Sequence, residues 1–222
     1  MQPESRSNDS FTREEFEKAP KRLLRDGRSA NAVVWRVELA GREWTVKDFS
    51  GRNWIVRNLF APYLIGRELG AFRRLAGIDG IAEHAFRIDR HAIAIEFQEG
   101  QATDKADPAR ITNEYLEQLE NLMNEMHARG VVHLDVRGEG NVLIRPDGRP
   151  AIIDFQAAVF TEGLPKFLRS TLEEIDLSGA WKKWVKYRPD DLGEERRARL
   201  DRINHIRKFW VLHGYFGLKK KG

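Results

Sequence analysis

The sequence predicts an α+β fold built as two lobes, a β-rich N-terminal one and an α-rich C-terminal one. Three observations predict it. Up to Gly100 the chain carries several short β-patterned runs and one main helical stretch. From Ile111 onward helical patterns dominate. Between the two halves, Gln98-Glu99-Gly100-Gln101 breaks both patterns and marks a cleft. The expected organisation is a flexible lead over residues 1–18, an N-lobe over 19–98 and a C-lobe over 99–222, with a basic, aromatic end.

Composition sets the bounds. At 222 residues the chain can bury one large core or two small lobes. Its 41% hydrophobic and 32% charged residues are globular proportions and exclude a disordered chain. The lack of cysteine excludes disulfides, thiolate metal sites and cysteine nucleophiles, and fits a reducing cytoplasm. The first ten residues are polar and do not read as a signal peptide. No apolar stretch approaches the ~20 residues of a membrane span. Charge is uneven: from Trp181 to Gly222, thirteen Lys/Arg stand against five Asp/Glu. That segment favours anionic partners.

The elements follow in order. Phe11 to Leu24 has a broken helical pattern. Val33, Val34, Trp35 and Val37 form one β run, and Trp44 to Val46 another, joined by the turn Ala40-Gly41-Arg42. Ile55 to Leu75 reads as a helix, with Leu64, Ile65, Leu69, Phe72 and Leu75 on one face. Phe86–Ile88 and Ala92–Phe97 read as two strands around Asp89-Arg90-His91. Ile111 to Arg129 is an amphipathic helix stopped by Gly130. Two apolar strands flank Pro146-Asp147-Gly148-Arg149-Pro150, and the chain after Phe160 is mostly helical. There is no internal repeat.

The chemistry is concentrated in Val131-Val132-His133-Leu134-Asp135 through Asn141-Val142-Leu143-Ile144, and in Ile152-Ile153-Asp154-Phe155-Gln156. A His-x-Asp, then an Asn, then an Asp after an apolar strand supply what phosphoryl transfer needs. Asp135 can orient or accept the proton of an attacking hydroxyl. Asn141 and Asp154 are hard oxygen ligands suited to magnesium on nucleotide phosphates. Lys47, near the end of its strand, can offer a point charge to the phosphates, and Glu68 on the next helix can hold it. Each residue also has an ordinary reading. Lys47 could be a solvated lysine on an edge strand, Glu68 a surface carboxylate, Asp135 a turn residue and Asp154 a cap. His133 reads best as a structural support of the loop. The order of the whole set, each member on a suitable element, carries the weight.

On these residues the chain resembles the protein-kinase-like superfamily from about Ala19 past Asp154. The resemblance rests on Val46-Lys47-Asp48-Phe49-Ser50, Gly66-Arg67-Glu68, Ile95-Glu96-Phe97-Gln98-Glu99-Gly100 and the loop around Asp135. Within the superfamily it looks most like short bacterial members: lipopolysaccharide core (Kdo and heptose) kinases and RIO-like atypical kinases. The resemblance implies a bilobal protein-kinase-like fold and an enzyme using ATP and Mg2+. By it, Asp135 is the base and Lys47 contacts the α/β-phosphates, anchored by Glu68. The hinge from Glu96 through Phe97 and Gln98 to Glu99 binds adenine through its backbone, and Asn141 and Asp154 hold the metal. The expected acceptor is a core sugar on a glycolipid at the cytoplasmic face of the inner membrane. The alternatives are an atypical serine/threonine protein kinase and a nucleotide-binding pseudokinase scaffold.

Four departures are visible. Asn141 lies one residue further from Asp135 than the general pattern has it, with Gly140 in the expected place. Glycines 138 and 140 could allow a one-residue bulge that restores Asn141. The Asp-Phe-Gly triplet is Asp154-Phe155-Gln156. Asp26-Gly27-Arg28-Ser29-Ala30-Asn31 replaces a Gly-rich loop. No Ala-Pro-Glu follows Asp154, and the short segment there tilts the acceptor toward a small molecule, a glycan or an atypical protein substrate. The last residues, His205 to Lys221, interleave aromatics and cations. They read first as a final core helix with a lysine tail, second as a contact with anionic membrane, and distantly as nucleic-acid binding.

Overall fold

The computed structural model describes residues 10–27, 31–138 and 140–209. Its N-terminal lobe is a five-stranded antiparallel sheet in the order β1-β2-β3-β5-β4. The strands are β1 (Lys21–Arg25), β2 (Val33–Leu39), β3 (Arg42–Asp48), β4 (Ala85–Asp89) and β5 (Ala92–Glu96). Side chains alternate across a strand, and in β3 this decides the architecture. Trp44 and Val46 enter a core with Phe11, Phe16, Val37 and Ala94 on one face. Thr45 and Lys47 point from the other face into the cleft.

Two expectations about the N-terminus need correction. Residues 11–18 are not a loose lead. Thr12 accepts a hydrogen bond from the Glu15 N–H and starts helix α1 (Arg13–Lys18) with a capping box. Phe11 and Phe16 are buried, and Phe11 meets Trp44 edge-on at 5.8 Å. The other correction is β1, a fifth strand where only a broken helical pattern had been legible. It is an edge strand whose residues are mostly exposed, so its sequence carries little alternation. Residues 1–9 lie outside the described residues.

Helix α2 (Ala61–Leu75) packs under the sheet. Ile65, Glu68, Leu69, Phe72 and Leu75 form its buried stripe, so the spacing that buries the leucines also drives a glutamate inward. The C-terminal lobe is helical: α3 (Asn113–Ala128), α4 (Lys166–Tyr187) and α5 (Glu194–Phe209). Thr112 caps α3 by accepting from the Tyr115 N–H. Trp181 and Trp184 of α4 are buried, and their indole N–H groups donate to Glu120 of α3 at 3.4 and 2.6 Å. Short strands lie between the lobes. Gln101–Ala102 (β6), Val142–Ile144 (β8) and Pro150–Ile152 (β9) make one sheet, and Val131–Val132 (β7) pairs with Val159–Phe160 (β10).

Candidate active site

The cleft between the lobes has a volume of about 210 Å³. Lys47 reaches it from the middle of the sheet, not from an edge, because β2 and β5 flank β3 on either side. Its side chain is 6% exposed, and Nζ donates to Glu68 Oε1 at 2.6 Å and to Asp154 Oδ1 at 2.7 Å. Burial works against the Lys47 charge, but Asp154 and Glu68 outweigh it and hold its pKa above the ordinary lysine value. Burial also opposes the Asp154 charge, yet Lys47 overcomes it and Arg25 adds to the effect, so this carboxyl lies below the usual range. Glu68 is fully buried. Desolvation pushes its carboxyl up against the pull of Lys47.

Asp154 follows β9 in a left-handed conformation at φ 69°. A non-glycine residue there is uncommon and strained. The twist presents its carboxylate to the cleft, while Phe155 turns inward and is fully buried. Leu134 shares this feature at φ 63°, beside Asp135.

The loop after β7 builds the other wall. The buried His133 ring accepts from the Asp135 N–H at Nδ1, 3.2 Å, and donates from Nε2 to the Ile153 carbonyl, 3.0 Å. Those two contacts require the neutral Nε2–H tautomer, so His133 ties the Asp135 loop to the Asp154 strand and supports the loop. Asn141 donates through Nδ2 to Asp135 Oδ2 at 2.7 Å and to the Asp135 carbonyl at 3.0 Å. The extra residue is absorbed by the loop: Gly140 sits at φ 91°, and its N–H donates to Asp104 Oδ1 at 3.1 Å. Asn141 is thereby returned to Asp135 despite the longer interval. Burial raises the Asp135 carboxyl above the ordinary aspartate value, against the opposing pull of the Asn141 hydrogen bond.

Glu96, Phe97 and Gln98 line the far end of the cleft. The structure narrows their expected role. The Glu96 N–H donates to the His84 carbonyl and the Phe97 N–H to the Glu43 carbonyl. Among the described residues no backbone carbonyl takes the Gln98 N–H, which leaves that donor open at the cleft.

Two important residues were not legible in the sequence. Asp176, within α4, is fully buried and accepts from the His133 and Leu134 N–H groups, both at 2.8 Å, and from His127 Nε2 at 2.9 Å. It holds the backbone that carries Asp135, yet nothing local distinguishes it from any helix aspartate. Arg25, at the end of the unrecognised β1, lines the cleft and approaches Asp154 Oδ2 to 3.8 Å.

The donor set suits magnesium. Among the described residues no cluster of three or more His, Cys, Asp or Glu could hold a metal alone. Magnesium commonly takes one or two protein oxygens and completes its shell with water and phosphate. Asp154 and Asn141 both line the cleft, and among the described residues the Asn141 carboxamide oxygen meets no donor.

No protein-family model matches the chain, and no curated protein matches it by sequence. Among solved structures it is similar to the Rio2 kinase from Chaetomium thermophilum, with a TM-score of 0.57 and 14% identity over 89% of this chain and 76% of that one. The fold is therefore the bilobal protein-kinase-like one, with its β-rich N-lobe and α-rich C-lobe. At that identity the likeness carries the fold alone.

Proposed function

We propose that this chain is an ATP- and magnesium-dependent phosphotransferase that moves the γ-phosphate to a hydroxyl. The observation that carries the reading is the buried Lys47–Glu68 pair, whose lysine also meets Asp154 across a cleft walled by the Asp135–Asn141 unit. A buried ion pair is costly to maintain for stability alone, and here it presents a lysine to an open site.

Each residue has a role in the proposed reaction. Lys47 and Arg25 supply positive charge to the phosphates. Asp154 and Asn141 would hold magnesium, which when bound would offset charge on the phosphate oxygens. Gln98 fixes the base at the hinge. Asp135 orients the acceptor hydroxyl and takes its proton as the new O–P bond forms and the bond from Pγ to the ADP oxygen breaks. Little basicity is needed, since a loose transition state asks chiefly for position. The retained set argues against a scaffold without turnover.

For the acceptor, the likeness to a Rio2 kinase supports the atypical serine/threonine protein kinase reading over the glycolipid one. The basic, aromatic tail that suited a glycolipid falls mostly outside the described residues, which end at 209. A core-sugar acceptor is kept as a second reading by one observation, the exposed aromatic face at the start of the helix that carries Glu68. Either reaction would run on the cytoplasmic side, where ATP is supplied.

The test is transfer of labelled γ-phosphate from Mg-ATP into fractionated bacterial extract, with Asp135→Asn as control. Label in protein, absent with the variant, is the expected result. Label in glycolipid would replace the acceptor. Equal labelling by wild type and variant would remove Asp135 from the mechanism.

A further inference from the structure

Ahead of α2, Asn53 Oδ1 accepts from the Val56 N–H at 3.0 Å, capping a helical start at Trp54. The helix then widens into a π turn over Val56–Phe60. Its cause is Pro62, which has no N–H for the Asn58 carbonyl and whose ring crowds the preceding turn. Arg90, in the β4–β5 turn, reaches that carbonyl through Nη2 at 3.3 Å. A proline and an arginine from another element thus hold this segment in place.

The segment exposes what a folded chain normally hides. Trp54, Ile55, Leu59, Phe60 and Tyr63 are each between 53% and 64% exposed, within ten residues of sequence. Val56, Ala61 and Ile65 are buried on the inner side, so the helix is anchored and the outer face is apolar as well. Contiguous apolar exposure of this kind marks an interaction surface.

The surrounding charge indicates the partner. From Ser50 to Arg67 there are three arginines and no Asp or Glu. Arg67 lies over the Tyr63 ring at 4.7 Å. Arg87 Nη2 stands 3.7 Å from where a Gly66 Cβ would be, and Arg90 sits on Asn58. Asp48 of β3 and Asp89 of β4 are both engaged by Arg13, and Asp26 meets Arg52 at 3.5 Å. Apolar and aromatic side chains on one face with arginines at the rim are the pattern of a helix lying in a bilayer interface, with cations at the headgroups. A symmetric pairing of two copies through this face would set like-charged rims together.

We infer that the outer face of the Trp54–Tyr63 helix, rimmed by Arg67, Arg87 and Arg90, docks the chain peripherally onto an anionic lipid bilayer. Among the described residues no helix is long and apolar enough to cross a membrane. The attachment is interfacial and reversible. It does not depend on the reaction proposed above, although α2 also carries Glu68.

The test is co-sedimentation of the full chain with vesicles of phosphatidylcholine alone and of an equal mixture with phosphatidylglycerol, at low and high salt. Wild type should bind the mixed vesicles, release in salt and ignore the neutral ones. Leu59→Glu/Phe60→Glu should weaken binding by about tenfold or more. Arg87→Glu, on a different element, should also weaken binding if the first pair fails to fold. Thermal melting and Mg-ATP affinity should be unchanged. Wild type that ignores the mixed vesicles overturns the proposal, and so do folded variants that bind as wild type. Concentration-dependent dimerisation abolished by Leu59→Glu would give the surface to a second copy instead.

Discussion

Asn141 closes on Asp135 across a loop one residue longer than the general pattern, donating to both its carboxylate and its backbone carbonyl. The space for this closure comes from Gly138. A Cβ there would stand 2.7 Å from Asp135 Oδ1 and 3.0 Å from Asn141 Nδ2. Gly138→Ala should therefore displace the two side chains rather than unfold the chain. The expected outcome is a fall of about a hundredfold in kcat, since small misplacements of reacting groups cost that much. The melting temperature should change little. Steady-state kinetics beside a thermal melt separates the two effects.

Asp176 acts on the same loop from beneath. Its two oxygens take the N–H groups of His133 and Leu134 as well as His127. Asp176→Ala leaves buried donors without acceptors, which costs about 1–3 kcal/mol for each unsatisfied group. It should lower the melting temperature markedly and remove activity together with it. Asp176→Asn can still accept through one oxygen, so it should keep more stability than Asp176→Ala. Denaturant unfolding of both variants tests that order, and the reverse order would sink the assignment.

The contrast between these residues explains what the sequence made legible. Lys47, Asp135, Asn141 and Asp154 lie beside apolar strands, in local patterns that a linear reading detects. Helix α2 was readable for the same reason, through its stripe from Ile65 to Leu75. Asp176 and Arg25 work at long range, and nothing in their neighbouring residues announces the partner. The edge strand β1 escaped because an exposed strand with one partner has no reason to alternate. The capped α1 was obscured by its length of six residues, below what periodicity resolves.

Lys47 and Glu68 form a nearly inaccessible ion pair. Removing one partner strands the other charge, so Lys47→Met should destabilise by about 3–5 kcal/mol. Adding Glu68→Gln should recover part of that loss, because the stranded carboxylate is gone. The double variant should be no more active than Lys47→Met. A double-mutant cycle by chemical denaturation checks the coupling. Additive losses would mean the two residues do not act as a pair.

Burial raises the Asp135 carboxyl, so it holds its proton to higher pH than an exposed aspartate. As pH falls, the proposed base would be lost early. The acid limb of kcat/KM should therefore lie above the ~3.9 of a free aspartate. Asp154 shifts the other way and stays ionised through that range. Its pairing contributes stability above the unfolded carboxylate pKa, and that contribution goes only as pH falls through its depressed folded value. Activity should thus disappear at a higher pH than this part of the fold's stability. Glu68 is also held up by burial, so the profile should be repeated with Glu68→Gln. Persistence of the limb keeps it with Asp135, whereas its disappearance would transfer it to Glu68.

Asp154 has two partners to choose between. In the structure its carboxylate is held by Lys47, with Arg25 nearby. In the proposed reaction Asp154 would turn to magnesium while Lys47 and Arg25 turn to the phosphates. Nucleotide and metal should therefore bind with strong mutual dependence. Asp154→Asn removes the charge but preserves the shape, and leaves Lys47 with Glu68 alone. Its affinity for ATP without magnesium should equal or exceed that of wild type, because no carboxylate repels the phosphates. The enhancement by magnesium should disappear. Arg25→Met should weaken ATP more than ADP, if its guanidinium lies near the last phosphate. Calorimetric titration of both nucleotides, with and without magnesium, reads all of these. An Asp154→Asn variant that keeps the full magnesium enhancement would take the metal away from Asp154 and leave its left-handed backbone without a functional cause.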